Sequence, residues 1–305
     1  MSAIAISSFS LHRKLGPLRL ESRDQHGERQ ITLFDMPAEH TLEQFAQITR
    51  DRLGVGAVEL CQIQFDDSSA ERIERLRRFL VGAGVTVLTV PIDSGNLSAA
   101  TPQHRDEDIA TIIEWFDIAA ALGATYARVN TGTPHTETFD ENYQGLVDAL
   151  RQLSVHARER DLQLLVENHG GSSSDPDYLL KLRADVGADS LGILLDLGNF
   201  EPVNTVSLAR LMGQPADDAA LETEHVYAHI ARLAPVATLV HAKAYDPRSD
   251  GTPLLDLDRA LRIVADAGYR GSIAVEWEGG EGDPWERTAQ TLDTVLTVFP
   301  GLSRG

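Results

Sequence analysis

Two neighbouring stretches, Leu162-Gln-Leu-Leu-Val-Glu-Asn-His-Gly-Gly171 and Leu191-Gly-Ile-Leu-Leu-Asp-Leu-Gly-Asn199, share one plan. Each is a short apolar run that ends on an acidic residue and passes into a glycine-bearing turn. Apolar runs without polar alternation read as strands covered on both faces, as in a parallel sheet. Working outward, the same kind of run recurs at residues 3–9, 57–60, 85–90, 125–130, 238–243 and 272–277, which makes eight.

Helical signals fill the intervals. Thr41-Leu-Glu-Gln44 has the form of a capping box ahead of Phe45 and Ile48. Thr101-Pro102, Asp175-Pro176 and Asp283-Pro284 each put a capping residue before a proline suited to the first helical position. Apolar residues spaced by three and four mark helices over 71–80, 109–122, 142–160 and 257–267, and glycines such as Gly54, Gly84 and Gly187 stand where those helices must stop. Eight strand–helix units with no linker-like tract between them predict a single (β/α)8 TIM barrel, one α/β domain over residues 1–305. The competing doubly wound sheet lacks its G-x-G-x-x-G after the first strand. The chain exceeds the typical barrel of about 250 residues, and the surplus lies near 16–35 and 200–222. Both are insertions after strands, on the face where barrel enzymes carry their sites.

Composition narrows the partners. The 305 residues carry 27 Lys and Arg against 46 Asp and Glu, a net charge of −19. Such a field repels phosphodiester backbones and anionic lipid, so no nucleic acid and no membrane partner is expected. The single cysteine, Cys61, excludes an internal disulfide or a thiolate metal cluster. No basic residue precedes the first short apolar run, and no window reaches the roughly 18 apolar residues of a membrane span. These features predict a soluble, cytoplasmic protein; the sequence leaves a homo-oligomer open.

In a barrel, functional side chains come from the C-terminal ends of strands. Glu167, Asp196, His241 and Glu276 end four successive apolar runs. Adjacent strands are about 4.8 Å apart, so four consecutive ends can converge. Buried carboxylates are costly unless compensated, and three carboxylates with one imidazole suit a single divalent cation. Mn²⁺ comes first, with Mg²⁺ or Co²⁺ next and Zn²⁺ behind.

The segments Leu165-Val-Glu-Asn-His169-Gly-Gly, Leu195-Asp-Leu-Gly-Asn199, Val240-His-Ala-Lys243 and Gly268-Tyr-Arg-Gly-Ser-Ile-Ala-Val-Glu276 resemble the xylose-isomerase-like TIM barrel superfamily, its sugar (phosphate) isomerase and epimerase group. The resemblance implies Glu167, Asp196, His241 and Glu276 as metal ligands, with Glu167 and Glu276 also the catalytic acid and base. It implies a substrate-side or supporting role for Glu59. Ketose epimerases of the group commonly have a histidine three residues after the strand-six aspartate, where this chain has Asn199; asparagine can hold a hydroxyl but cannot move a proton.

The expected activity is that of a metal-dependent sugar isomerase or epimerase in carbohydrate metabolism. It would abstract a proton next to a metal-bound carbonyl and pass through an enediolate. The alternatives are a metal-dependent lyase, either a dehydratase or a C-glycoside deglycosidase, acting on a keto-sugar or keto-cyclitol, and a non-catalytic barrel subunit or binder. The expected partner is a small sugar or keto-sugar without phosphate. Arg128, Asn130, His169, Asn199 and Lys243 are further candidates for binding it. His12 and His104 are read as loop residues that could overhang the site, with surface exposure the expected setting. Phe9, Phe65 and Phe200 are placed either on the pocket wall or in the core, and Trp115 and Trp277 in the core. His156, His225 and His229 are assigned no role.

Overall fold

The computed structural model describes residues 2–23, 27–99, 101–132, 142–218 and 221–304. In chain order the strands are β1 (Ile4–Ser7), β2 (Leu18–Arg23), β3 (Arg29–Phe34), β4 (Ala57–Glu59), β5 (Thr86–Ile92), β6 (Tyr126–Val129), β7 (Gln163–Glu167), β8 (Gly192–Asp196), β9 (Ala237–Ala244) and β10 (Ser272–Trp277). β1 and β4 to β10 pair in parallel around a closed barrel, β10 closing back onto β1. The eight apolar runs are these eight strands.

The helices are α1 (Leu42–Leu53), α2 (Ala70–Ala83), α3 (Pro102–Ala121), α4 (Tyr143–Arg158), α5 (Pro176–Val186), α6 (Val203–Leu211), α7 (Glu224–Leu233), α8 (Leu257–Asp266) and α9 (Pro284–Val298). Thr41 and Gln44 form the reciprocal capping box at the start of α1, and Asp175 and Asp283 accept backbone N–H groups at the starts of α5 and α9. Thr101 makes no such side-chain bond at the start of α3. Gly54 and Gly84 close α1 and α2 in the left-handed conformation that glycine adopts without strain.

The barrel interior explains where the polar residues go. Ala5, Ala57, Leu88, Leu165, Leu194, Leu239 and Ala274, with Tyr126 against them, form a separate apolar cluster that takes one residue from each barrel strand. Burying a leucine in such a layer is worth about 1.5–3 kcal/mol. Side chains alternate along a strand, so the residue two further on points the same way. Those residues are Ser7, Glu59, Val90, Arg128, Glu167, Asp196, His241 and Glu276. The apolar plug therefore floors a second layer in which six of eight positions are ionisable. One further step inward-facing gives Asn130, Lys243 and Glu278.

The two stretches expected as insertions carry elements outside the barrel strands. Within 16–35, β2 and β3 pair antiparallel as a hairpin, with Leu18 opposite Phe34 and Glu21 opposite Ile31. Arg23 donates to Asp108 and Glu107 of α3, and Ser94 Oγ donates to Glu21, so the hairpin is fastened over the barrel's C-terminal side. Within 200–222 lies α6. Arg210 of that helix pairs with Asp218, which also accepts from the Ser249 backbone and hydroxyl. None of the helices in the described residues is long and apolar enough to cross a membrane.

Candidate active site

At the C-terminal mouth Glu167, Asp196 and His241 each offer a ligand atom, and these atoms lie within 4.8 Å of one another. All three residues are buried. His241 Nδ1 is 3.5 Å from Asp196 Oδ2 and 3.9 Å from Glu167 Oε1, while its other nitrogen, Nε2, is 3.0 Å from Glu59 Oε1. Glu276, the fourth expected ligand, has Oε2 4.0 Å from His241 Nδ1. It accepts Ser7 Oγ at 2.8 Å, and Lys243 Nζ is 2.9 Å from its other oxygen. The four strand ends thus meet, three as a tight group and Glu276 alongside it.

The remaining candidates surround them. Arg128 places Nε 2.8 Å from Glu167 Oε2 and Nη1 2.6 Å from Asp93 Oδ1. Asn130 accepts from Arg128 and donates to Asp93. Asn199 donates to Glu167 Oε1 at 3.1 Å and accepts from Lys243 at 3.0 Å. Lys243 also lies within 3.1 Å of Asp196 and 3.0 Å of Glu278. His169 is half-buried and lines the cavity, its backbone N–H donating to Ser173 Oγ.

Electrostatics separate the acids. Burial pushes Glu167 up, and it stays above the ordinary carboxylate range despite Arg128, His169 and His241. Burial acts the same way on Asp196 and Glu276, but Lys243 and His241 outweigh it and hold both below that range. His241 and Lys243 are raised against burial, His241 chiefly by Glu59 and Asp196, Lys243 by Asp196 and Glu276.

The donor set fits a hard or borderline divalent cation. Glu167 Oε2, Asp196 Oδ2 and His241 Nδ1 are buried without a well-formed hydrogen bond. Arg128 and Lys243 stand 2.8 and 3.1 Å from the two oxygens as ion-pair partners. His241 Nδ1 faces carboxylates alone, a buried polar atom that a cation would satisfy. Six carboxylates (Glu59, Asp93, Glu167, Asp196, Glu276 and Glu278) face two permanent cations, Arg128 and Lys243, so the cluster has negative charge in excess.

Several expectations need correction. His12 is not at the surface: it is 2% exposed, its ring stacks on Phe9 and Nδ1 lies 2.9 Å from the Phe9 carbonyl. The residues after β1 turn at once into a 3-10 helix, Ser8–Leu11, which folds His12 back. His104 lies on α3 rather than in a loop and lines the cavity, half-buried. Phe65 and Phe200 belong to the core; only Phe9 of the three lines the cavity. Trp115 and Trp277 are buried, as expected. Asp93 and Glu278 were missed. Pro91 ends the third apolar run in the sequence, yet β5 continues through it to Ile92, and Asp93 follows at the strand end. Two-residue alternation beyond Glu276 was the available signal for Glu278.

A cavity of about 1110 Å³ opens above this floor, lined by Glu167, His241, Lys243 and Glu276 below and by residues of the hairpin and α6 above. Comparison with known proteins agrees with the architecture. The family model described as "Xylose isomerase-like TIM barrel" matches residues 51–295. No curated protein is detectably similar in sequence. Among solved structures, the chain is similar to a 3-keto-D-glucoside 4-epimerase from E. coli (15% identity, 97% of this chain and 100% of that one, TM-score 0.63). It is similar to an L-ribulose 3-epimerase (15% identity, 98% and 96%, TM-score 0.66). A third likeness is to a xylose isomerase-like barrel protein from Mycobacterium smegmatis in complex with magnesium (18% identity, 98% and 96%, TM-score 0.63). The closed barrel and the family match together establish that this chain belongs to the xylose isomerase-like TIM barrel family.

Proposed function

We propose that the protein is a divalent-metal-dependent isomerase or epimerase of a keto-sugar. The observation that carries this reading is the convergence of Glu167, Asp196 and His241, whose ligand atoms lie within 4.8 Å of one another beneath an open cavity that Glu167 and His241 line. Glu167, Asp196 and His241 would hold the ion, with Glu276 as the fourth group in reach. When bound, a divalent cation polarises a carbonyl and so acidifies the neighbouring C–H; Mn²⁺ is the ion we favour, with Mg²⁺ or Co²⁺ next.

The chain's own groups supply the proton transfers. Glu167 is the base: Arg128 and Asn199 fix its two oxygens, and burial keeps its proton affinity above that of an ordinary carboxylate. Glu276, on the other side of His241 and paired with Lys243, is the partner acid/base. Carboxylates pushed in opposite directions are the usual arrangement for an acid/base pair. Lys243 and Asn199 present a cation and an amide to substrate oxygens. Glu59 fixes the ring of His241. The activities of two structural neighbours, epimerases of a keto-glucoside and of ribulose, support the reaction class.

One observation favours lyase chemistry as a second reading. Asn199 bridges Glu167 and Lys243 but cannot carry a proton, so a substrate that loses a β-substituent after proton removal suits the site as well. Both readings share the first step. Manganese-loaded protein incubated with keto-sugars in D₂O should introduce deuterium at the carbon next to the carbonyl, and Glu167→Gln should abolish this. No exchange with any keto-sugar, or full exchange by Glu167→Gln, would refute the assignment. An unsaturated product would select the lyase.

A further inference from the structure

The cavity has two unlike halves. Its floor is polar and charged, whereas its upper wall carries Phe9, Leu20, Phe34, Met36, Leu208 and Met212 beside the ion-paired Arg23, Arg29 and Asp108. Of the seven large apolar side chains exposed among the described residues, four lie on the hairpin and α6 or just after it, the other three being Phe79, Val81 and Val155 on α2 and α4. Ile31 and Leu33 on β3 are 53% and 56% exposed, Leu208 on α6 and Met212 just after it 45% each, and Ile31, Leu208 and Met212 line the cavity. These side chains belong to the two insertions, which barrel closure does not require. Scattered exposed apolar residues need no explanation, but a set gathered on the rim of one cavity marks a binding surface.

Size and charge limit what can fill it. Pockets for drug-sized ligands span roughly 300–1,000 Å³, so a cavity of about 1110 Å³ is larger than a free monosaccharide needs. The four Arg and Lys side chains that line it among the described residues (Arg23, Arg29, Arg128 and Lys243) are all paired with carboxylates. Lys243 faces three carboxylates, so it can donate to an uncharged hydroxyl or carbonyl but leaves no surplus positive charge for a phosphate or carboxylate on the substrate.

The geometry points to a glycoside as substrate: its sugar rests on the polar floor and its uncharged, apolar aglycone lies between the β2–β3 hairpin and α6. This rests on the keto-sugar reading for the occupant of the floor. The apolar wall runs into that floor within a single cavity, so a group covalently joined to the sugar reaches both halves at once. A second copy of the chain could cover the rim but would leave the space beneath it unfilled.

Calorimetric titration of the manganese-loaded protein with methyl and phenyl D-glucopyranosides, in both anomers, tests this without turnover, because neither carries the ketone. The phenyl compound should bind at least tenfold tighter than its methyl counterpart. In the double variant Leu208→Ser, Met212→Ser, whose changed side chains are exposed, that ratio should fall toward one. Equal affinities, no binding of the phenyl compounds, or an advantage that persists in the double variant would overturn the proposal. So would a wild-type dimer that the double variant dissociates, found by sedimentation together with no phenyl advantage. Deuterium exchange reports separately on the catalytic reading. Exchange without a phenyl advantage removes the aglycone site alone, and a phenyl advantage without exchange removes the catalytic reading alone.

Discussion

His241 stands between two carboxylates with its ring nitrogens divided: Nε2 lies 3.0 Å from Glu59 Oε1, and Nδ1 faces Asp196 Oδ2 at 3.5 Å. A carboxylate on the outer nitrogen would fix the tautomer and leave the inner nitrogen's lone pair free to hold a cation. Removing such a partner typically costs about 10–100-fold in metal affinity. Glu59→Gln should therefore weaken Mn²⁺ binding by that factor in a calorimetric titration while the circular dichroism spectrum stays unchanged. Unaltered affinity would make Glu59 a packing residue only.

Arg128 neutralises two carboxylates at once, Asp93 and Glu167, and is itself 5% exposed. Breaking a buried pair from one side leaves uncompensated charge and costs about 3–5 kcal/mol. Arg128→Met should lower the unfolding free energy read by urea denaturation by an amount in that range and raise the proton affinity of Glu167. A variant as stable as the parent would show that water reaches both carboxylates.

Leu194 belongs to the apolar layer directly beneath Asp196. Leu194→Ala should cost about 2–5 kcal/mol, read by chemical denaturation. Because the plug also sets the depth of Asp196, weaker Mn²⁺ binding should accompany the loss. Lost stability with unchanged metal affinity would separate the plug from the site.

Asp218 fastens the α6 wall through Arg210 and Ser249, and hydrogen bonds from Ser249 and Arg210 bring its pKa down to about 2. An unfolded aspartate titrates near 4. The folded value is the lower one, so the contribution is complete above about pH 4 and is lost as pH falls toward 2. Denaturation of the parent and of Asp218→Asn should differ at pH 6 and converge near pH 2. A constant difference across that range would contradict this role.

Much of this site is written in the chain because two rules act together. A barrel strand must be apolar where it crosses the plug, and alternation sends the residue two positions on to the same interior. Glu167, Asp196, His241 and Glu276 therefore stand out as charged ends of apolar runs. Asp93 did not, because Pro91 reads as a strand end, although β5 continues one residue past it. The hairpin was visible only as surplus length. Its strands Leu18–Arg23 and Arg29–Phe34 are rich in polar residues and owe their position to Arg23 on Asp108, a contact between distant segments that no local pattern encodes. His12 was misplaced for a related reason, since its burial depends on the 3-10 turn that stacks it on Phe9.

The central claim is that Glu167, Asp196 and His241 share one ion, and anomalous scattering from manganese-soaked crystals at the metal's absorption edge tests it most directly. The expected result is a single strong peak within bonding distance of all three side chains, absent from Asp196→Ala crystals. A map with no peak there, or with the ion held elsewhere while Glu167 and Asp196 remain paired with Arg128 and Lys243, would contradict the account.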